Sequence, residues 1–142
     1  MIARATALRL LLFFGFCALG SAGCGGDRYI VVGTAKAPSV SGWVVIKDAS
    51  KNGAEVTIHL EQVHPPSHLD PSLKAYVAWF EPETGPAVRA GTLKYLPDER
   101  TGELRARAPF GKFVVKVTGE ANDKPSDPSD FLVASQEITL ED

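Results

Sequence analysis

The chain has 142 residues, of which 44% are hydrophobic and 23% are charged, with 15 basic and 17 acidic side chains. This length fits one domain of ordinary size. The composition excludes an intrinsically disordered chain, a membrane protein with several spanning helices and a polycation built to bind nucleic acid. Ten prolines and 13 glycines predict many turns and short strands rather than a helical bundle.

Residues 1–23 have the layout of a secretory signal peptide. Arg4 and Arg9 give a positive start without any acidic residue, Leu10 to Leu19 form an apolar run, and four small residues precede Cys24. The apolar run is about 10 residues long, about half of what a transmembrane helix needs. An N-terminal membrane anchor that stays uncleaved is the alternative interpretation.

The tripeptide Ala22-Gly23-Cys24 resembles the lipobox of bacterial lipoproteins. In that family the cysteine thiol receives a diacylglyceryl group and the cysteine becomes the first residue of the mature protein. Leucine is usual three positions before the cysteine, where this chain has Ser21. The resemblance implies lipidation of Cys24, with palmitate-type acyl chains that hold the protein on a membrane without spanning it. An ordinary signal cleaved near Ala22 is the alternative, and it predicts a secreted or periplasmic protein.

The cysteine count supports lipidation. Cys17 lies in the apolar run and would leave with the signal, so the mature chain has Cys24 alone and cannot form an internal disulfide. Acylation removes an exposed thiol that would be a liability in an oxidising compartment. Removal of residues 1–23 also takes away Arg4 and Arg9, which leaves 13 basic and 17 acidic residues and a net charge of −4. That charge argues against binding to nucleic acid or anionic lipid through net charge.

After the signal, the sequence has the pattern of strands and turns. Asn52-Gly53 is a hairpin signal, and after it Val56, Ile58 and Leu60 alternate with polar residues, as in a half-buried strand. The segment from Lys74 to Phe80 is apolar on both faces, which predicts a central strand. The predicted strands cover residues 29–36, 42–47, 55–61, 74–80, 88–95, 103–107, 112–120 and 131–139.

About eight short strands with turns every 8 to 12 residues predict an all-β fold, a single antiparallel β-sandwich of the immunoglobulin-like type. We expect the signal peptide at 1–23, a flexible tether at 24–28 and the sandwich domain at 29–142. A β-barrel is the main alternative.

The strand Tyr76-Val77-Ala78-Trp79-Phe80, followed after a turn by Val88 to Leu93, resembles the extracytoplasmic C-terminal domain of the anti-sigma-K factor family. The strand Lys116 to Glu120, with its Pro- and Ser-bearing loop and final apolar strand, fits the same pattern, so the resemblance covers roughly residues 40–140. It implies a β-sandwich outside a membrane. It implies no sigma-factor binding, because this chain lacks the family's helical cytoplasmic segment and transmembrane helix. It carries over no catalytic residue.

Three groups of residues are candidates for ligand chemistry. His59, His64 and His68 lie within ten residues, but they match no closed zinc-site spacing, and we expect a solvated loop. Asp123, Asp127 and Asp130 lack the ligand spacing of a calcium loop. The third group is a possible basic stripe for an anionic sugar or acidic peptide, with a charge-mixed sheet face as the plainer interpretation: Arg105, Arg107, Lys94, Lys112 and Lys116, with Asp98, Glu99 and Glu103 as neutralising partners.

Catalytic motifs are missing from the sequence: it has no nucleophile elbow, no phosphate loop and no His-Glu-x-x-His zinc motif. We therefore expect no enzyme, no catalytic residue, no cofactor and no metal. The leading hypothesis is a bacterial envelope lipoprotein, tethered on the extracytoplasmic side through Cys24, that serves as an interaction or structural module for an envelope protein partner. Gly25, rather than an aspartate, follows the cysteine, and by resemblance to the enterobacterial lipoprotein sorting rule this implies the outer membrane. The alternative is a module that binds a carbohydrate or metal through Trp43, Trp79 or the histidine-bearing loop.

Overall fold

The computed structural model describes residues 26–140, which form an almost entirely β structure. Cys24 and the signal segment lie outside these residues. Within the described range there are nine strands and one turn of helix. In chain order they are β1 (Asp27–Val32), β2 (Ser41–Ser50), β3 (Gly53–Glu61), α1 (Pro66–Leu69), β4 (Ala75–Pro82), β5 (Val88–Thr92), β6 (Lys94–Leu96), β7 (Thr101–Ala108), β8 (Lys112–Glu120) and β9 (Leu132–Thr139).

The strands form two antiparallel sheets, which confirms the predicted β-sandwich. The first sheet has the order β1-β2-β3-β7-β6 and the second has the order β5-β4-β8-β9. Without β1 and β5, these orders reduce to β2-β3-β7-β6 and β4-β8-β9, the same strand order as the A-B-E-D and C-F-G sheets of an immunoglobulin constant-type domain. Strand β5 takes the place of the additional C′ strand, and β1 adds a further strand at the edge of the first sheet.

The Asn52-Gly53 turn joins β2 and β3 as predicted. Ser50 pairs with Gly53 across the turn, and Gly53 has a φ of 138°, a conformation that side-chain-bearing residues rarely adopt. A Cβ at this position would lie 2.2 Å from the Ala108 carbonyl oxygen, so the close approach of β7 also requires glycine. Beyond the turn, every second residue of β3 is buried, in agreement with the expected alternation.

The space between the sheets is filled by apolar side chains. Phe80 on β4 and Phe113 on β8 meet edge to face, with ring centroids 5.4 Å apart. A void of about 10 Å³, lined by residues such as Val44 and Val117, remains between the sheets. That volume is about the size of one water molecule, so it offers no room for a ligand.

Chain segments link the two sheets at both sides of the sandwich. At one side, β5 belongs to the second sheet and β6 to the first, with only Leu93 between them. At the other side, Gly33 forms an isolated bridge with Ala134, and the Thr34 amide donates to the Val133 carbonyl at 2.9 Å. These links do not close the two sheets into a barrel, because strand β1 pairs along its length only with β2 and remains the edge of its sheet.

The fold differs from the sequence prediction at three places. The proline-containing loop 64–73 includes one turn of helix. Pro66 is tolerated in this turn because backbone amides in the first turn of a helix have no partner within the helix, so the missing amide hydrogen costs no hydrogen bond. The predicted strand 88–95 is divided between the sheets at Leu93. Finally, β1 covers residues 27–32 rather than the predicted 29–36, so it includes two residues expected in the tether and ends four residues earlier.

Candidate functional site

The candidate site is the outward side of the first sheet at the β1 edge. Ile30 on β1 pairs with Trp43 on β2, and Trp43 pairs with His59 on β3, so the three residues form a row across the sheet. Their neighbours along each strand, including Val31 and Val44, are buried between the sheets. The strand alternation therefore places the row on the outside.

Trp43 is held between two neighbours. The imidazole of His59 stacks on the indole with ring centroids 4.4 Å apart, and the guanidinium carbon of Arg28 lies 4.6 Å from the indole centroid. Arg28 lies on β1 and His59 on β3, and these strands flank β2, so the two groups approach the indole from opposite sides. A sugar ring would have to displace one of them in order to stack on Trp43, which argues against the predicted carbohydrate platform at this residue.

His59 marks the border between two chemically different halves of the sheet face. Its Nε2 lies 3.5 Å from Oε1 of Glu61, and its Nδ1 lies 3.9 Å from Oε2 of Glu103 on β7. Further along β3, Glu55 contacts Arg105 at 3.4 Å. From β3 onward, the outward side of the sheet is therefore a mixture of acidic and basic groups.

The outward residues of β1 and β2, by contrast, include no carboxylate as far as Lys47, where regular pairing ends at a bulge. Ile30 and Val32 are 68% and 69% exposed, unusual values for large apolar side chains in a strand. Edge strands also present unpaired backbone groups. We call this surface the β1–β2 face, and it consists of Arg28, Ile30, Val32, Ser41, Trp43, Val45 and Lys47.

The three histidines are not brought together. His59 lies on the first sheet, His68 is in α1, and His64 lies beside Arg100, whose Nη2 is 3.2 Å from the His64 Nδ1. Among residues 26–140 no group of three or more His, Cys, Asp or Glu side chains is arranged to hold a metal ion, which also covers Asp123, Asp127 and Asp130.

The segment before α1 is fixed by two tyrosines instead. The Tyr76 hydroxyl donates to the His64 carbonyl at 2.6 Å, and the Tyr95 hydroxyl donates to the Val63 carbonyl at 2.8 Å. Their rings meet edge to face at 6.0 Å. Burial raises the pKa of both phenols. This cluster therefore has a structural role, since both hydroxyls are used to hold the chain in place.

The predicted basic stripe is wrong as a single surface. Arg105 and Arg107 lie on β7 in the first sheet, whereas Lys112 and Lys116 lie on β8 in the second sheet. The β7–β8 connection crosses from one sheet to the other, so residues close in sequence face opposite sides of the molecule. Lys94 stays beside β7, where it pairs in register with Glu103.

Lys112 and Lys116 also have acidic partners other than the expected Asp98, Glu99 and Glu103. The Nζ of Lys112 lies 2.8 Å from Oε1 of Glu83, a contact that raises the pKa of the lysine, and Lys116 pairs with Glu81. These pairs border an open depression of about 300 Å³ on the second sheet. Because its charged groups already pair with one another, the depression is a charge-mixed surface.

Trp79 is the largest side chain on the outward side of the second sheet, yet it is fully buried. Its Nε1 donates to the Thr118 hydroxyl at 2.8 Å, and that hydroxyl donates to Oε2 of Glu120 at 2.5 Å. Oε2 also accepts the Ser129 backbone amide at 2.9 Å. The burial of Trp79 rules it out as a carbohydrate platform in this structure.

The loop Ala121 to Asp130 covers Trp79. Besides the Ser129 contact, its Asp123 carbonyl accepts from the Thr92 hydroxyl at 2.5 Å, and its Pro125 carbonyl accepts from Arg89 at 3.1 Å. This loop therefore occupies part of the outward side of the second sheet. The apolar second face of the strand that contains Trp79 predicts that part of this face is covered, and the burial of Trp79 confirms it. The sequence did not indicate that the 121–130 loop lies there.

Cys24, the predicted lipidation site, lies outside the described residues. None of the helices in residues 26–140 has the length and apolar character needed to cross a bilayer. Comparison of the chain with protein families, curated proteins and solved structures finds no match. The resemblance to the anti-sigma-K factor domain therefore stays a prediction.

Proposed function

We propose that the chain is a non-enzymatic lipoprotein of the bacterial cell envelope, anchored through acylated Cys24 on the extracytoplasmic side. Its β-sandwich serves as an interaction or structural module that meets an envelope protein partner. Gly25 after the cysteine favours the outer membrane as its location.

The observation that carries this proposal is the direct junction between the candidate anchor and the fold. Ala22-Gly23-Cys24 follows a charged and apolar leader, and only Gly25 and Gly26 separate Cys24 from the first residue of β1. An acyl group on Cys24 would hold the sandwich at the membrane surface. Ile30 and Val32 on that first strand are exposed apolar side chains, which supports a role in contact with another surface of the envelope.

The test compares two cysteine substitutions in cells that are fed an alkyne-bearing palmitate analogue. Cys24→Ser should abolish both incorporation of the label and recovery of the protein in the membrane fraction. Cys17→Ser is the matched control, because that residue would leave with the signal, and it should behave as the wild type. An unchanged membrane fraction in Cys24→Ser would contradict the proposed anchor.

A second experiment addresses the partner. Cross-linking in intact cells should join the anchored protein to an envelope protein, and density-gradient separation should place it with the outer membrane. An unlabelled chain in the soluble fraction would instead indicate a secreted or periplasmic protein, and screening for small ligands would then replace the partner search.

A further inference from the structure

We propose that the β1–β2 face docks on the surface of the bilayer that holds the acyl chains of Cys24. The inference rests on the proposed function and names the surface that this face meets. The sandwich would then have a fixed orientation, with its first sheet toward the lipid at the β1 edge and its second sheet toward the envelope space.

Chain length is the first argument. Three residue steps separate Cys24 from Asp27, and an extended chain spans at most about 3.6 Å per residue, so the start of β1 lies within about 11 Å of the anchored cysteine. Ile30 is three further residues along the strand, which adds about 10 Å. The exposed apolar side chains are therefore within reach of the surface that holds the anchor.

Surface chemistry is the second argument. Ile30 and Val32 are exposed apolar groups, Trp43 carries Arg28 against its indole, and Lys47 adds a second cation. Apolar residues together with Trp, Arg and Lys are typical of surfaces that rest in the headgroup region of a bilayer. The seven residues of the face include no carboxylate that docking would have to desolvate or place beside lipid phosphates. The nearest acidic residues, Glu55 and Glu61, lie at its border on β3, in register with Lys47 and Ser41.

The rest of the described surface fits a bilayer less well. The outward side of the second sheet carries Glu81, Glu83 and Glu137 and is partly covered by the loop 121–130. Beyond His59, the first sheet carries Glu61 and Glu103. Contact with lipid on either side would bury carboxylates.

The test places one dye on the face and one away from it. The full chain is expressed, processed and purified as Val32→Cys or as Val88→Cys, the latter an exposed apolar position on β5 of the second sheet that serves as control. The acylated Cys24 has no thiol for the dye to modify. Each labelled protein is reconstituted into vesicles of phosphatidylethanolamine and phosphatidylglycerol that contain brominated lipid.

We expect the dye at position 32 to be quenched by brominated lipid about threefold more than the dye at position 88, with a blue-shifted emission. Adding Ile30→Asp to the Val32→Cys protein should reduce the quenching to the level of the control. Equal quenching at the two positions, in protein whose mass shows an acylated Cys24, would overturn this inference but would not contradict the proposed function.

Three further results would also overturn it. Shielding of position 32 that appears without lipid and disappears on dilution would assign the face to a second copy of the chain. Shielding that requires an added envelope protein would assign it to a protein partner. Dye attached to Cys24 itself in both variants would show an unmodified thiol, which contradicts the proposed function and removes this inference with it.

Discussion

Substitution of Thr118 by valine should destabilise the fold through the buried contacts that hold the 121–130 loop. The change keeps the shape of the side chain but removes its hydroxyl, which accepts from Trp79 and donates to Glu120. The indole N–H, fully buried, would lose its acceptor at a cost of about 1–3 kcal/mol. The Glu120 carboxyl would lose one of two donors, which costs about 1–2 kcal/mol more.

Together these terms predict a loss of about 2–5 kcal/mol in the free energy of unfolding, against a total of about 5–15 kcal/mol for a domain. At about 4 °C per kcal/mol for a domain of this size, Tm should fall by about 8–20 °C. Urea titration followed by tryptophan fluorescence measures the loss in free energy, and a thermal scan measures Tm.

Two controls separate the lost hydroxyl from other effects. Thr118→Ser keeps the hydroxyl and removes one methyl group, so it should cost only about 1 kcal/mol. Thr57→Val removes a hydroxyl on the half-exposed outer face of β3, where water can take its place, and should change stability by less than about 0.5 kcal/mol. A Thr118→Val protein as stable as Thr118→Ser would refute the role assigned to these hydrogen bonds.

Three further predictions concern the fold. Burial raises the pKa of Tyr76 and Tyr95 above the unfolded value of about 10, so the stability that these neutral phenols contribute to the fold is complete below about pH 10 and is lost as pH rises further. Urea midpoints should therefore fall above pH 10, and they should fall less steeply in Tyr76→Phe. Equal slopes for the wild type and Tyr76→Phe would contradict this. Gly53→Ala should cost about 1–3 kcal/mol, since alanine is strained at this φ and its Cβ would collide with the Ala108 carbonyl, and an unchanged urea midpoint would disprove that constraint. Phe113→Ala should cost about 3–5 kcal/mol in the same assay, and a loss below about 1 kcal/mol would show that the core refills the cavity.

Local patterns predicted much of the fold because they depend on neighbours in the sequence. The alternation of Val56, Ile58 and Leu60 and the Asn52-Gly53 turn each report a geometry completed within a few residues, and the structure confirms both. The two apolar faces of the strand that contains Trp79 also predicted its central position, which the structure confirms between β5 and β8.

Strand alternation and turn signals do not show where the chain crosses from one sheet to the other, so features that depend on these crossings were not predicted. The run from Val88 to Tyr95 looks continuous in sequence, and nothing in its residue types shows that Leu93 ends one sheet and begins the other. For the same reason, Arg105 and Lys116 were expected on one surface although they face opposite sides of the sandwich.

The candidate site was predictable only in part. Trp43 and His59 were singled out as chemically capable residues, but their stacking requires the register between β2 and β3, which the sequence does not define. The absence of carboxylates on the β1–β2 face likewise appears only when Arg28, Ile30 and Lys47 are assigned to one side of adjacent strands. Surface composition is a property of strand pairing as well as of the residues.

Lipidation of Cys24 is the central claim, and intact mass spectrometry of protein extracted from membranes tests it most directly. The account predicts a mature chain that begins at Cys24 and carries the added mass of acyl groups. An unmodified chain cut near Ala22 would contradict it and would identify a secreted domain with an exposed thiol beside its first strand.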